Sequence, residues 1–418
     1  MKTIIRTILT VMLALSAGNV GASDLSADDM KYRRSSIYSI LVTHNEQKFS
    51  KEITEEFLKI PTPDKYNDMN LSVRVLAGHA DGTSPYSFYP GSSSKIVSDA
   101  SIELFLKSNA VASRLVGKWF NRDLLTGKCD MELIKERGLY NASVFDQELA
   151  ARSTRGIAML EDAGEELIGN TFVLVNEIKY IDKGQRSSNW GAALAILGEV
   201  AAAASDMDVF RNTGYLAGSM VSTIKGFRVK INTRLYRLVW DEETATNFYR
   251  NYYSAVPDAG AVSRFNQDRL NFHLEYIGNV ESSGQQTSFL GIKEDRPDIM
   301  IRKACQRALD ENVADLQKKY EQFRIKSPLV SVGPITAYVG KKEGITPDSR
   351  FEVLEAQEKD GKTVYKRVGT LRPNPSKIWD NRFMATEEKA YGAEFGATEF
   401  IKESGGDFYP GLLIRQIK

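Results

Sequence analysis

The chain has 418 residues, 42% hydrophobic and 26% charged, with a net charge of +1. That length accommodates two or three domains, and that composition excludes a disordered or fibrous protein. It holds no basic excess to neutralise a phosphate backbone, which argues against nucleic acid as a partner.

Residues 1–22 read as an export signal. Lys2 and Arg6 give a positive start, Ile8 to Leu15 is an apolar run too short to span a bilayer, and Val20-Gly21-Ala22 supplies small residues for cleavage. Loss of this segment takes the net charge from +1 to −1. No Cys follows the apolar run, so no lipid anchor is indicated on the mature N-terminus. Export makes a disulfide between the two cysteines, Cys129 and Cys305, permissible, and two buried free thiols are the other reading. No later apolar run reaches the roughly 18 residues of a spanning helix.

The elements expected in chain order begin with a polar lead, Asp24 to Ser35, and a strand over Ile37 to Thr43. Lys48 to Leu58 is a helix by the spacing of Phe49, Ile53 and Phe57, ended by Pro61 and Pro63. Leu71 to Leu76 is a short strand, and Ala77 to Ser94 is a loop rich in Gly, Ser and Pro. Ser94 to Phe120 carries the apolar stripe of one amphipathic helix or two. Met131 to Tyr140 reads as a strand edge running into a short helix. Asp146 is a helix cap, Gln147 to Ile168 a helix, and Gly169-Asn170 its stop.

Two strands organise the rest. Thr171 to Ile181 reads as a buried central strand. Gly226 to Trp240 alternates outward residues (Arg228, Lys230, Asn232, Arg234) with inward ones (Phe227, Val229, Ile231, Thr233, Leu235), a period of two. Thr246 to Ser254 and Phe272 to Ile277 are strand candidates. Pro297 opens a helix reaching about Phe323. Ser327-Pro328 reads as a linker. After it, Ile335 to Val339, Arg350 to Gln357, Val364 to Arg372 and Leu412 to Ile417 read as strands, with Asp360-Gly361 as a hairpin turn. The expected fold class is therefore α+β: a mixed α/β layered body over 23–326, then a small all-β, SH3-like barrel over 328–418.

No catalytic, cofactor or metal motif stands out. His44, His79 and His273 share no ligand-like spacing with one another, with Cys or with paired carboxylates. Gly91 to Lys95 lacks the spacing of a phosphate cradle. Glu161, Asp162, Glu165 and Glu166 pair up on a helix but read as a solvated face. The Ala- and Gly-rich insertion over 183–225 carries Trp190, Leu194, Leu197, Ala201 and Ala204 at helical spacing, then Leu216, Val221 and Ile224. Ordinary packing on the sheet is the favoured reading. Docking of Trp190, Leu194, Leu197, Leu216 and Val221 on a partner is the other, and the few Lys and Arg there weaken a membrane version.

The order of elements resembles the curli-secretion channel family and related envelope domains. The resemblance rests on Arg114 to Arg137, Ile168 to Tyr180, Phe227 to Asn247 and Pro297 to Leu316, and covers about half the chain. Gly340 to Arg372 and Gly405 to Ile414 resemble the small barrel that closes the flagellar assembly protein of the T type. The family's lipid-bearing Cys is missing, and 183–225 and 246–291 lack the ten-residue alternation of membrane strands. The resemblance therefore implies a soluble body in an envelope setting, without a pore.

The expectation is a non-enzymatic protein of the periplasm or outer-membrane surface. It would work through contacts with envelope proteins, as a scaffold or an assembly or secretion accessory, and a ring-forming homo-oligomer is compatible with it. One alternative is a ligand- or glycan-binding module using Trp190, Trp240 and Trp379. Another is a hydrolase with dispersed catalytic residues.

Overall fold

The structure is a computed structural model and describes residues 34–44, 47, 49–78, 99–139, 154–181, 225–288, 297–359, 362–385 and 396–418. The expected export signal over 1–22, His79, Gly91 to Lys95, Asp146, Asp360-Gly361 and the insertion residues Trp190, Leu194, Leu197, Leu216 and Val221 lie outside the described residues.

The fold is α+β, with helices and strands in two sheets. The first sheet has the order β2 (Tyr66–Asp68), β1 (Ser35–His44), β4 (Thr171–Tyr180), β5 (Lys225–Leu238), β6 (Leu274–Ser288), and β3 (Val75–Gly78) also pairs with β1. Strand β1 runs parallel to β2, β3 and β4, whereas β4, β5 and β6 are antiparallel. Period-two alternation assigns Phe172, Leu174 and Ile178 of β4 to one face and Val173 and Val175 to the other. Phe172 and Val173 are both 0% exposed, so the central strand is covered on both sides.

On the first face lie α1 (Ser50–Lys59) and α8 (Pro297–Lys319). Helix α8 lies close to the sheet because small residues meet there: a Cβ on Gly284 would stand 2.0 Å from the Ala304 carbonyl oxygen. On the other face α2 (Asp99–Ser108), α3 (Val111–Trp119), α4 (Glu132–Gly138), α5 (Thr154–Glu165), α6 (Glu242–Asn251) and α7 (Ala259–Gln267) surround Trp119, Phe120 and Phe248. The expected stretch 94–120 is two helices, broken at Ala110, whose φ of 51° no helix accommodates.

Several expectations are corrected. Residues 132–138 are helical with no strand edge, because Ile134 and Gly138 bury one face against α5. Residues 246–251 are helical rather than strand. Asp241 caps α6 by accepting from the Thr244 N–H at 2.9 Å, and Tyr249 meets Tyr253 four residues on, their ring centroids 5.4 Å apart. Arg234 does not point to solvent; it is 5% exposed because α2 covers that end of β5. Cys129 and Cys305 are both free and buried, in apolar clusters on opposite faces of the sheet. A disulfide needs Cα atoms within about 7 Å, which a sheet between them forbids.

Strands β7 (Ser327–Val332), β8 (Ile335–Ala337), β9 (Phe351–Lys359), β10 (Lys362–Pro373), β11 (Thr398–Gly405) and β12 (Leu413–Gln416) close a barrel in the order β10-β11-β8-β7-β12-β9. Its core holds Leu329, Val353, Leu371, Phe400 and Ile414. Ser327-Pro328 is not a linker: β7 starts there, and Pro328 pairs with Leu413. Barrel and body meet where the Lys341–Glu343 turn and Gly344, at φ 73°, lie against Ala314 and Lys318 of α8.

Candidate functional site: a fastened contact surface

Helices α3 and α7 run antiparallel, with Gly117 against the Phe265 ring and the Arg122 guanidinium 4.5 Å above that ring. Each end of this pair carries a turn built by an aspartate. After α3, Asp123 Oδ1 accepts from the N–H groups of Leu125 (3.0 Å) and Thr126 (2.6 Å) and from the Thr126 hydroxyl (2.9 Å). These bonds from Thr126 and Leu125 hold the Asp123 carboxyl below its ordinary range. Buried Arg122 braces the turn from beneath, donating to the carbonyls of Gly127 and Tyr252. After α7, Asp268 accepts from Leu270 N–H (2.8 Å), Asn271 N–H (3.0 Å), the Tyr252 hydroxyl (2.7 Å) and the Asn271 amide (2.6 Å). Partial burial would raise the Asp268 carboxyl, but these bonds bring it down.

An aspartate that bonds the backbone two and three residues ahead fixes a turn in one conformation. What these turns present is apolar. Leu124 and Leu125 are 78% and 84% exposed, and Leu270 is 82% exposed. Val256, also exposed, sits beside the first turn, where Asp258 N–H donates to the Thr126 carbonyl. Single exposed leucines are ordinary, but an adjacent pair on a fastened turn is costly to leave in water unless something covers it.

Beside the second turn lies a cleft of about 260 Å³. Leu106, Val111 and Phe272 form its apolar wall, Leu270 and Ala110 its lip, and Glu103, Lys107, Asp268, Arg269 and His273 its polar rim. Tyr236, 1% exposed, lies at its base with a buried hydroxyl that has no hydrogen-bond partner. Burial, and then the Glu103 carboxylate, push the Tyr236 phenol up, so it stays protonated.

A second polar cluster is buried under α2. Glu177, 2% exposed, accepts from His44 Nε2 at 3.0 Å, from Lys179 Nζ at 2.7 Å and from Arg234 at 3.3 Å, and Arg234 also donates to Asp99 at 2.5 Å. Burial alone would raise the Glu177 carboxyl; the bonds from His44 and Lys179 outweigh it and bring it down to about 2. A carboxylate held this firmly by three donors is a poor general base. The cluster ties β1, β4, β5 and α2 together.

The other sequence candidates scatter. Trp240 packs on Phe120 and Phe248, and Trp379 faces Tyr338, so these two form no shared stacking surface. The acidic run on α5 is only partly solvated: Glu161 pairs with Lys135 at 3.1 Å, and Glu165 accepts from the Tyr249 hydroxyl at 2.9 Å. Burial raises the Glu165 carboxyl. His44 belongs to the buried cluster and His273 to the cleft rim. Among the described residues no three His, Cys, Asp or Glu side chains are grouped to hold a metal, and no helix is long and apolar enough to cross a membrane. Leu124, Leu125 and Leu270 escaped the sequence reading. Their available signal was Asp-x-Leu at 123–125 and 268–270, a turn aspartate two residues before an apolar side chain. No protein-family model matches the chain, and no curated protein matches it either.

Proposed function

We propose that this is an exported, non-enzymatic component of a bacterial cell envelope that works through protein contacts, as a scaffold or an accessory of assembly or secretion. The observation that carries the reading is the pair of aspartate-fastened turns holding Leu124, Leu125 and Leu270 in solvent. Ordering an apolar loop before a partner arrives lowers the entropy lost on binding. The N-terminal export pattern and the resemblance of the element order to envelope-secretion proteins support the setting.

The test is photo-crosslinking in cells that export the full chain. A photoreactive residue at Leu125 or Leu270 is expected to give discrete adducts in the envelope fraction, while one at exposed Lys51 of α1 gives none. A protein retained in the cytoplasm, or crosslinking no better at the turns than at Lys51, would end this reading.

A further inference from the structure

We propose that the cleft beside Leu270 receives the Asp123–Leu125 turn of a second copy of this chain, so that copies join head to tail. The inference rests on the contact reading above and names the partner.

Chemistry and geometry both support it. The turn offers two adjacent isobutyl groups flanked by the Asp123 carboxylate and by exposed Lys128. The cleft offers an apolar wall of Leu106, Val111 and Phe272, flanked by the cations of Lys107 and Arg269 and by the carboxylates of Glu103 and of Asp268, the latter taken up by the bonds of its own turn. In the contact proposed, the leucines seat against that wall with Asp123 facing Lys107 and Arg269 and Lys128 facing Glu103. Both charges of the turn then have an opposite charge on the rim, and Leu270 on the lip is covered in the same event. Both surfaces are ordered beforehand, one by Asp123 and the other by Asp268.

The placement decides the mode of association. The cleft opens at the N-terminal end of α3, at Ala110 to Ser113, and the leucine turn follows its C-terminal end. A nine-residue helix separates them, roughly 14 Å at 1.5 Å per residue, so the turn cannot fill its own cleft. Knob and hole are different patches at opposite ends of one helix pair, which makes the contact heterologous rather than two-fold. Repeated, it builds a ring or an open chain, according to the rotation at each step.

The experiment uses two variants altered only at exposed or rim side chains, each checked for native circular dichroism. Leu124→Ser/Leu125→Ser removes the knob and keeps the cleft; Lys107→Glu/Leu270→Asp spoils the cleft and keeps the knob. Light scattering after size exclusion, over a wide concentration range, is expected to show the unaltered chain associating and each variant weakened by at least about tenfold. An equimolar mixture of the variants is expected to form a one-to-one dimer that grows no further, because only one competent knob and one competent cleft remain per pair. A monomeric unaltered chain, a mixture that stays monomeric, or either variant associating as the unaltered chain does would overturn the proposal. A monomeric chain that still crosslinks through Leu125 to a different envelope protein would overturn it and leave the contact reading standing.

Discussion

Gly138 on α4 and Gly164 on α5 each rest against the backbone of the other's helix. A Cβ on Gly138 would stand 2.0 Å from the Leu160 carbonyl oxygen, and one on Gly164 would stand 2.0 Å from the Ile134 carbonyl oxygen. No rotamer relieves such a clash, because backbone meets backbone. Gly138→Ala and Gly164→Ala are each expected to destabilise the body by roughly 1–3 kcal/mol, as overpacking does. The double variant should cost less than the sum, since one helix displacement relieves both contacts. Urea unfolding monitored by circular dichroism measures this, and unchanged midpoints would show that the helices are not in this contact.

Asp310 on α8 lines a cavity of about 40 Å³ with Ser39, Thr62, Arg74 and Asn176, and its Oδ2 is buried without a hydrogen-bond partner. Burial pushes its carboxyl up to about 7; Lys342 and Arg307 oppose the rise, and Glu343 and Asp64 add to it. The folded state therefore holds a proton that the unfolded chain releases near pH 4. Stability from this group is complete below the unfolded value, falls as pH rises from there to about 7, and stays lost above. Asp310→Asn is expected to be more stable than the unaltered chain at pH 8, by roughly 4 kcal/mol at most, with the gain gone at pH 4. Denaturant midpoints at the two pH values decide it; a gain independent of pH would contradict the buried, protonated carboxyl.

Glu177 titrates with the opposite sign. Its folded carboxyl lies at about 2, below the ordinary value, so its contribution is present above about pH 4.5 and is lost as pH falls toward 2. Glu177→Gln removes the negative charge that His44, Lys179 and Arg234 share and turns one of its two acceptor oxygens into a donor. It is expected to cost roughly 3–5 kcal/mol at pH 7, the range for breaking a buried ion pair from one side. The difference from the unaltered chain should shrink as the pH drops. Calorimetry across pH 3 to 7 reads both effects, and a neutral substitution would show that the cluster contributes nothing net.

The two thiols should be inert in the folded protein. Cys305 is 0% exposed and burial pushes its thiol up to about 12, while Cys129 is 2% exposed. Alkylation by iodoacetamide at pH 8 is expected to be slow natively and to reach two thiols per chain in guanidinium, with no change under reducing agent. Finding no free thiol after unfolding without reductant would mean a disulfide that this fold cannot hold.

Local pattern made part of the molecule legible. The period-two alternation of Phe227 to Leu235, the apolar run from Phe172, the helix opened by Pro297 and the turn-punctuated strands after residue 335 all appear where their spacing places them. Residues 246–251 did not read correctly because Phe248, Tyr249, Tyr252 and Tyr253 favour strands as single residues, whereas the Asp241 cap and the contact of Tyr249 with Tyr253 belong to a helical turn. Ser327-Pro328 looked like a break because proline withholds a donor, yet it starts the strand that pairs with Leu413.

The amino-acid order by itself determined which segments could bury one face and which could bury two, since side-chain period is a property of the backbone alone. Tertiary structure decided everything that depends on what comes to lie above a residue. It buried Arg234 beneath α2 against Glu177 and Asp99, kept Cys129 and Cys305 on opposite sides of a sheet, and left Leu124, Leu125 and Leu270 uncovered. Burial, pairing and exposure are set by neighbours distant in sequence, so a local pattern can propose them but only the packed chain can assign them.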